Sequence, residues 1–180
     1  QRRRAARTEA LLDAAQTVLL AVGEAGLTMA AVADEADVAV GGLYRYFANK
    51  DAMLAALQVR AVQVFGRVLG QALDGPEGIE AELHAVASAW FTFAARHPEA
   101  CSLRDQGRPD PNPNLDDEQA RAVDEALQPH LQQVVDRLAA AAEAGVLAPG
   151  DAALRARTLW AFIHGAAHFR KRDRLGGPAA

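Results

Sequence analysis

The chain has 180 residues, 51% hydrophobic and 23% charged, with 19 Lys and Arg against 23 Asp and Glu for a net charge of -4. That composition is far from the apolar-poor, highly charged chains that stay disordered, so a folded protein with its own core is expected. Cys101 is the single cysteine, which excludes an internal disulfide. No apolar run is expected to reach the roughly 18 residues that cross a bilayer, since the longest uncharged stretches, such as Thr158–Phe169, are short. Glu9 and Asp13 stand where a signal peptide needs its apolar centre. A cytoplasmic protein with no membrane span is therefore expected. The first 50 residues are balanced, with six basic and six acidic groups, so the deficit lies on an acidic body behind a head with a basic tip. Bulk charge does not decide against nucleic acid, because contacts within a Debye length of about 8 Å count most.

Ala, Leu, Arg, Glu and Gln dominate and apolar positions recur at helical spacing, so the fold class is all-α. Leu11, Leu12, Ala15, Leu19 and Val22 stripe a first helix that Gly23 and Gly26 close. Thr28 is suited to cap a short helix over Met29–Ala36, Asp37 tolerates a turn, and Val38 is an apolar plug. A second short helix is expected over Val40–Phe47, with Ala48 and Asn49 leading into a long helix from Lys50 or Asp51 to Leu73. Two short helices joined by three or four residues have helix-turn-helix spacing. Leu83, Val86, Trp90 and Phe93 mark a helix that ends at His97-Pro98, and a helical turn is expected through Cys101 and Leu103. Prolines 109, 111 and 113 make Gln106–Asn114 a loop. Helix is expected to resume near Asp116, to be interrupted or restarted at Pro129, and to end at Ala144 with Gly145 as C-cap. Asp151 caps a last helix reaching about Arg172. No internal repeat is present.

The second short helix has the chemistry of a DNA reader. Val40, Gly41 and Gly42 open it, and the glycines let a backbone approach phosphate. Tyr44 and Tyr46 bring hydroxyls that can bond phosphate oxygens, with packing the other reading for Tyr46; Leu43 and Phe47 are core. Arg45, between the tyrosines, can reach a base edge or the backbone. Lys50 adds positive charge at the start of the next helix, and Thr28 offers a phosphate the same service one helix earlier. Arg2, Arg3, Arg4 and Arg7 are either a solvated tail or an arm that follows the DNA backbone or minor groove.

The run TMAAVADEADVAVGGLYRYFANKDAML, Thr28–Leu54, resembles the DNA-binding head of the TetR (tetracycline-repressor) family of bacterial transcription regulators. The pattern lies in Leu27-Thr28, Ala33, Val38, Gly41, Leu43-Tyr44, Tyr46-Phe47, Lys50-Asp51 and Leu54. It departs from the family at Asp37, where Gly is common, at Ala39, where Ser or Thr is common, and at Gly42, where Thr or Ser is common. The resemblance implies a helix-turn-helix DNA-binding domain over 1–50 and a helical effector-binding and dimerisation domain over 51–180. Trp90–Glu99 and Leu159–Gly165 resemble a subgroup named for a Trp-His-Gly signature, with three residues here between Trp160 and His164. By that resemblance the body binds a small effector and forms a homodimer.

The final helix is apolar on two sides, which separately argues for a partner chain. The expected interface, a four-helix bundle from residues of about 129–144 and 152–170 of each copy, places Leu131, Val135, Leu138, Leu159, Ile163 and Ala166 between the chains. Candidate pocket residues are Phe65, Trp90, Phe93, Cys101, Leu103, Trp160 and His164, whose aromatic walls suit a small apolar or aromatic effector, although rings at helical spacing also build cores. No cofactor is implied. His164 and His168 at i, i+4 resemble a metal pair, but Gly165 stands where a zinc protease has its Glu and no third ligand is evident. No phosphate loop or nucleophile motif points to an enzyme. The expected function is a transcriptional repressor, released from a palindromic DNA operator by a small molecule. The alternatives are a helical ligand-binding protein without operator recognition, or a metal-dependent enzyme using His164 and His168.

Overall fold

In the computed structural model, residues 2–97 and 117–176 are described, with side chains to residue 166. The expectations for Cys101, Leu103, the 106–114 loop and the side chains of His168 and Phe169 lie outside the described residues. Regular structure among the described residues is entirely helical: α1 (Arg2–Gly26), α2 (Met29–Glu35), α3 (Val40–Leu43), α4 (Lys50–Leu73), α5 (Ile79–Arg96), α6 (Asp117–Glu143) and α7 (Ala152–Gly176). The chain forms two compact units, residues 2–61 with 117–124 and residues 62–97 with 125–176, and the division falls inside α4.

Local chemistry sets the helix ends. Thr28 Oγ1 accepts from the Ala31 N–H at 3.1 Å, Asn49 Oδ1 from Ala52 at 2.7 Å, and Asp151 Oδ1 from Leu154 at 3.0 Å, so α2, α4 and α7 each begin on a side-chain cap. Near the end of α1 the chain breaks at Gly23, whose φ of 70° is left-handed. Gly145, at φ 72°, takes the same conformation after α6. Two expected boundaries shift. Pro129 does not divide α6, which runs through it, and α7 continues past Arg172 to Gly176.

The first unit is closed by Leu11, Leu12, Ala15, Val18 and Leu19 of α1, packed with Leu27, Val32, Ala33, Leu43, Phe47, Met53, Leu54 and Leu57. The second unit buries Phe65, Leu69 and Leu73 of α4, Val86, Trp90 and Phe93 of α5, Leu127, Val134 and Leu138 of α6, and Ala156 and Ile163 of α7. Arg137 of α6 donates to Glu82 Oε1 at 2.8 Å and to the Leu73 carbonyl at 3.4 Å, holding the end of α4 and α5 together. The His130 ring lies against Gly66, where a Cβ would have no room. One composition expectation needs correction. Lys50–Leu73 contains an 18-residue stretch long and apolar enough to cross a bilayer; half of that stretch is buried in the protein, as in the core helix of a soluble domain.

Ile163 and Leu138, expected between two chains, are 2% and 4% exposed within one chain. They belong to the core of the second unit, because α7 and α6 turn these side chains inward. Replacing Ile163 by Ala should therefore cost about 2–5 kcal/mol of unfolding free energy. Urea melts followed by circular dichroism measure it, and a loss below about 0.5 kcal/mol, the range of surface substitutions, would contradict the burial.

Candidate nucleic-acid interface and effector pocket

The turn between α2 and α3 is held from within. Ala36 ends α2, Asp37 adopts a left-handed φ of 51°, and the Val38 N–H donates to the Ala33 carbonyl at 2.9 Å. Asp tolerates this region better than most residues, which is why Gly is dispensable here. Val38, half-buried, packs on the core as the expected plug. Ala39, in extended conformation, precedes α3 and makes no side-chain cap bond, as the loss of a hydroxyl there requires.

The expected helix over residues 40–47 is regular only over Val40–Leu43. Two glycines in its first turn weaken it, and beyond Leu43 the chain turns more tightly, with the Tyr46 and Phe47 N–H groups both donating to the Leu43 carbonyl at 2.9 and 3.1 Å. Leu43 and Phe47 are buried at 0% and 5% exposure. On the outer side Val40, Gly41, Tyr44 and Arg45 are exposed, Gly42 is half-buried, and Thr28 stands exposed at the start of α2. Tyr46 is half-buried against the core and does not stand out with Tyr44. A Cβ built on Gly41 or Gly42 meets nothing within 4 Å, so neither the fold nor its packing asks for glycine at these positions.

Lys50 is half-buried, and its Nζ donates to the Glu24 carbonyl at 2.6 Å, pinning the start of α4 to the last turn of α1. An ammonium has three donors, so two remain for other partners. The basic tip is a helical extension: Arg2, Arg3, Arg4 and Arg7 lie in α1 and are exposed. Arg60 was not a sequence candidate, yet it organises this region. Its guanidinium donates to Asp13 Oδ1 at 2.7 Å, to the Leu12 carbonyl at 3.1 Å and to Gln16 Oε1 at 2.5 Å, with Glu9 Oε2 at 3.7 Å. Its side chain is 17% exposed, while those of Glu9 and Asp13 are 63% and 74% exposed. The signal for this fork was the acidic pair one turn apart on α1; its arginine lies some forty-seven residues away and is invisible to local pattern.

In the second unit the candidate pocket residues Phe65, Trp90, Phe93, Trp160 and His164 come together. Phe65 meets Trp90 edge-on at 5.3 Å between ring centroids, Phe93 at 5.4 Å and Trp160 at 5.6 Å. The His164 ring lies 4.0 Å from Trp90 and 4.2 Å from Trp160. His164 Nδ1 is 2.9 Å from the Trp160 carbonyl, which can only accept, so Nδ1 carries the proton. His97, expected at a helix end, also stacks on Phe93 at 4.8 Å. Of the expected interface residues, Leu131, Val135, Leu159 and Ala166 are half-buried, and the exposed large apolar side chains among the described residues of α7 are Leu154 at 61% and Phe162 at 72%. Among the described residues no three His, Cys, Asp or Glu side chains cluster as metal ligands.

Comparison with known proteins matches both parts of the chain to family models. Residues 11–57 match the model of bacterial regulatory proteins of the tetR family, and residues 83–180 match a tetracyclin repressor-like C-terminal domain. A curated relative, an uncharacterized HTH-type transcriptional regulator in the dhlA 5' region of Xanthobacter autotrophicus, is 41% identical over 58 residues, which are 32% of this chain and 29% of that protein. The match thus spans less than a third of that relative. Among solved structures, a protein of unknown function from Rhodococcus sp. RHA1 is similar with TM-score 0.75 and 27% identity, over 96% of this chain and 87% of that one. The regulator FadR from Bacillus subtilis, in complex with stearoyl-CoA, has TM-score 0.75 at 20% identity, over 94% and 89%. AibR, in complex with isovaleryl coenzyme A and operator DNA, has TM-score 0.67 at 18% identity, over 88% and 84%. The last two likenesses are likenesses of fold.

Lys50→Ala tests both uses of that ammonium. Loss of the bond to Glu24 should lower unfolding free energy by about 1.5–3 kcal/mol, the range for hydrogen bonds to charged groups. If a remaining donor meets phosphate, DNA affinity should also fall across all sequences, with a salt slope reduced by about one. Melting curves and salt titrations of DNA binding separate the two, and an unchanged slope would leave Lys50 as an anchor alone.

Proposed function

This chain belongs to the TetR family of bacterial regulatory proteins and is a transcriptional regulator; we propose that it is a homodimeric repressor, released from a palindromic operator by a small apolar or aromatic molecule. The observation that carries the reading is the outer face of α3 and the turn after it. Val40, Gly41, Tyr44 and Arg45 are exposed together on an element otherwise fixed by buried Leu43 and Phe47. Such a face, with Thr28 and Lys50 flanking it, suits a major groove between two phosphate strands. Gly42 stands beside it, and Tyr46 serves by packing as much as by contact. The arginines of α1 add sequence-independent attraction. In this reading residues 1–50 bind DNA, residues 51–180 bind effector and partner, and the protein works in the cytoplasm without a cofactor and without catalysis.

Phe65, Trp90, Phe93, Trp160 and His164 form the effector site, with Cys101 and Leu103 retained as candidates. Acyl-CoA molecules in the FadR and AibR complexes support acyl compounds as the first class to try. Assignment to the Trp-His-Gly subgroup is part of the proposal, supported by Trp160, His164 and Gly165 within little more than one helical turn. For the dimer, the exposed Leu154 and Phe162 favour a bundle of α6 and α7 from two copies centred on these residues, with Leu159 and Ala166 at its margin. Two heads must meet successive major grooves about 34 Å apart, and an effector that favours another spacing releases them.

An effector bound among these rings should shift tryptophan emission, since Trp90 and Trp160 are the two tryptophans of the chain. The same compound should weaken operator binding, and operator should weaken effector binding by the same factor, about 5- to 150-fold. Parallel titrations measure both arms. A compound that shifts emission and leaves DNA affinity unchanged would support a binding protein without operator control.

Phe162→Asp should give monomers at micromolar concentration while helical circular dichroism is retained, because the side chain is exposed in a single copy. Sedimentation showing an intact dimer would move the interface away from α7.

A further inference from the structure

Trp90 is 4% exposed, and its Nε1–H, closed off from solvent, has no hydrogen-bond acceptor among the described residues. A buried donor without an acceptor is costly, and the few that native proteins keep call for a partner from outside the chain or a functional reason. The surroundings make the omission specific. Phe65 and Phe93 bring rings without heteroatoms at 5.3 and 5.9 Å, Trp160 brings another donor ring at 5.2 Å, and the nearest ring, His164 at 4.0 Å, brings a buried Nε2 that makes no hydrogen bond to the indole. The carbonyl of Trp160 already receives the His164 Nδ1–H. Ring faces accept an N–H only weakly. The indole N–H is thus the donor, beside the buried imidazole Nε2 of His164, among otherwise hydrocarbon walls, and a few such polar groups are how small-molecule sites fix the orientation of an apolar ligand.

We propose that Trp90 Nε1–H is a ligand-recognising donor, and that the molecule taken up by the aromatic cluster carries a neutral carbonyl oxygen on an apolar body. The class comprises ketones, esters and thioesters. A hydrocarbon leaves the N–H unsatisfied, and an amine presents donors or a positive charge to it. A carboxylate would have to be desolvated among apolar rings with only this one donor to receive it. The inference rests on the aromatic cluster being the effector site and deepens that reading by naming the group that Trp90 reads.

The test uses the full-length chain and paired probes: acetophenone against ethylbenzene, alike in size and differing in the carbonyl, and 2-heptanone against heptylamine. Calorimetry should show each ketone binding about tenfold more tightly than its partner, the scale of one hydrogen bond that satisfies a buried donor. Trp90→Phe keeps a ring and removes the N–H; whatever it does to the affinity for both probes, it should bring the acetophenone to ethylbenzene ratio close to one. Should that variant fail to fold, the wild type decides by nitrogen-15 NMR. Of its two indole N–H resonances, that of Trp90, assigned with Trp160→Phe, should move downfield with acetophenone and stay in place with ethylbenzene. Equal ratios in wild type and variant, an unmoved resonance, or no binding by either ketone overturn the inference. Operator release by ethylbenzene or heptylamine in the same assay would show that the effector reading stands without it; operator binding unmoved by any apolar compound would sink both.

Discussion

A helix of four residues, two of them glycine, has no stability of its own. Nucleating a helical turn is unfavourable in isolation, and glycine adds backbone entropy to that cost. The position of α3 is therefore lent to it by the core beneath, through Leu43 and Phe47, both almost wholly buried. Everything the head can do to DNA depends on this attachment. The α1 stripe supplies the floor, α2 is started by the Thr28 cap, and Asp37 and Val38 close the turn that delivers Ala39. Polar ties hold the frame at two levels: Lys50 to the Glu24 carbonyl, and Arg60 to Asp13, Gln16 and the Leu12 carbonyl. The interaction surface can then be small and poor in secondary structure, because rigidity comes from what lies behind it.

In the second unit the weight shifts from polar ties to rings. Five aromatic side chains meet at centroid separations of 4.0–5.9 Å; the pairs among Phe65, Trp90, Phe93 and Trp160 lie in the range of about 4.5–7 Å in which edge and offset arrangements are favourable, and the two His164 pairs are closer. Such a cluster is core and candidate pocket at once, so apolar burial alone does not identify it as a binding site. Its polar atoms discriminate. His164 has a fixed tautomer set by a backbone carbonyl, Arg137, outside the cluster, ties the end of α4 to the start of α5, and Trp90 holds a donor turned to no acceptor among the described residues. The first two are what a core does; the third has a different purpose.

Much of this was legible in the chain. Capping residues carry their signal locally, and Thr28, Asn49 and Asp151 all act within three residues of themselves. The stripe from Leu54 to Phe65 marked a core helix because its period is set by α-helical geometry. The fold class and the helix-turn-helix frame followed from the same local rules. What sequence could not carry is sidedness and distance. Two faces of α7 are apolar, and periodicity does not say which packs inward, so Ile163 and Leu138 of the expected interface lie in the core while Phe162 is exposed. The Arg60 fork joins residues far apart in the chain, and Lys50 reads as a free surface charge until Glu24 is seen beneath it. The glycines of α3 marked close approach, yet gave no measure of how short the regular helix would be.

Gly41 and Gly42 leave the fold indifferent to what occupies them, since a methyl group at either would touch nothing within 4 Å. Packing is consequently concentrated on one residue of α3: Leu43 is committed to the interior, and its two predecessors are not. Under the proposed DNA-reading role of this face, mutation at the uncommitted pair alters which groove chemistry is favoured without drawing down a marginal folding free energy, which most substitutions in a domain of this size do. An evolving population could therefore explore new target sites through these two positions while the rest of the head stays under its usual constraints.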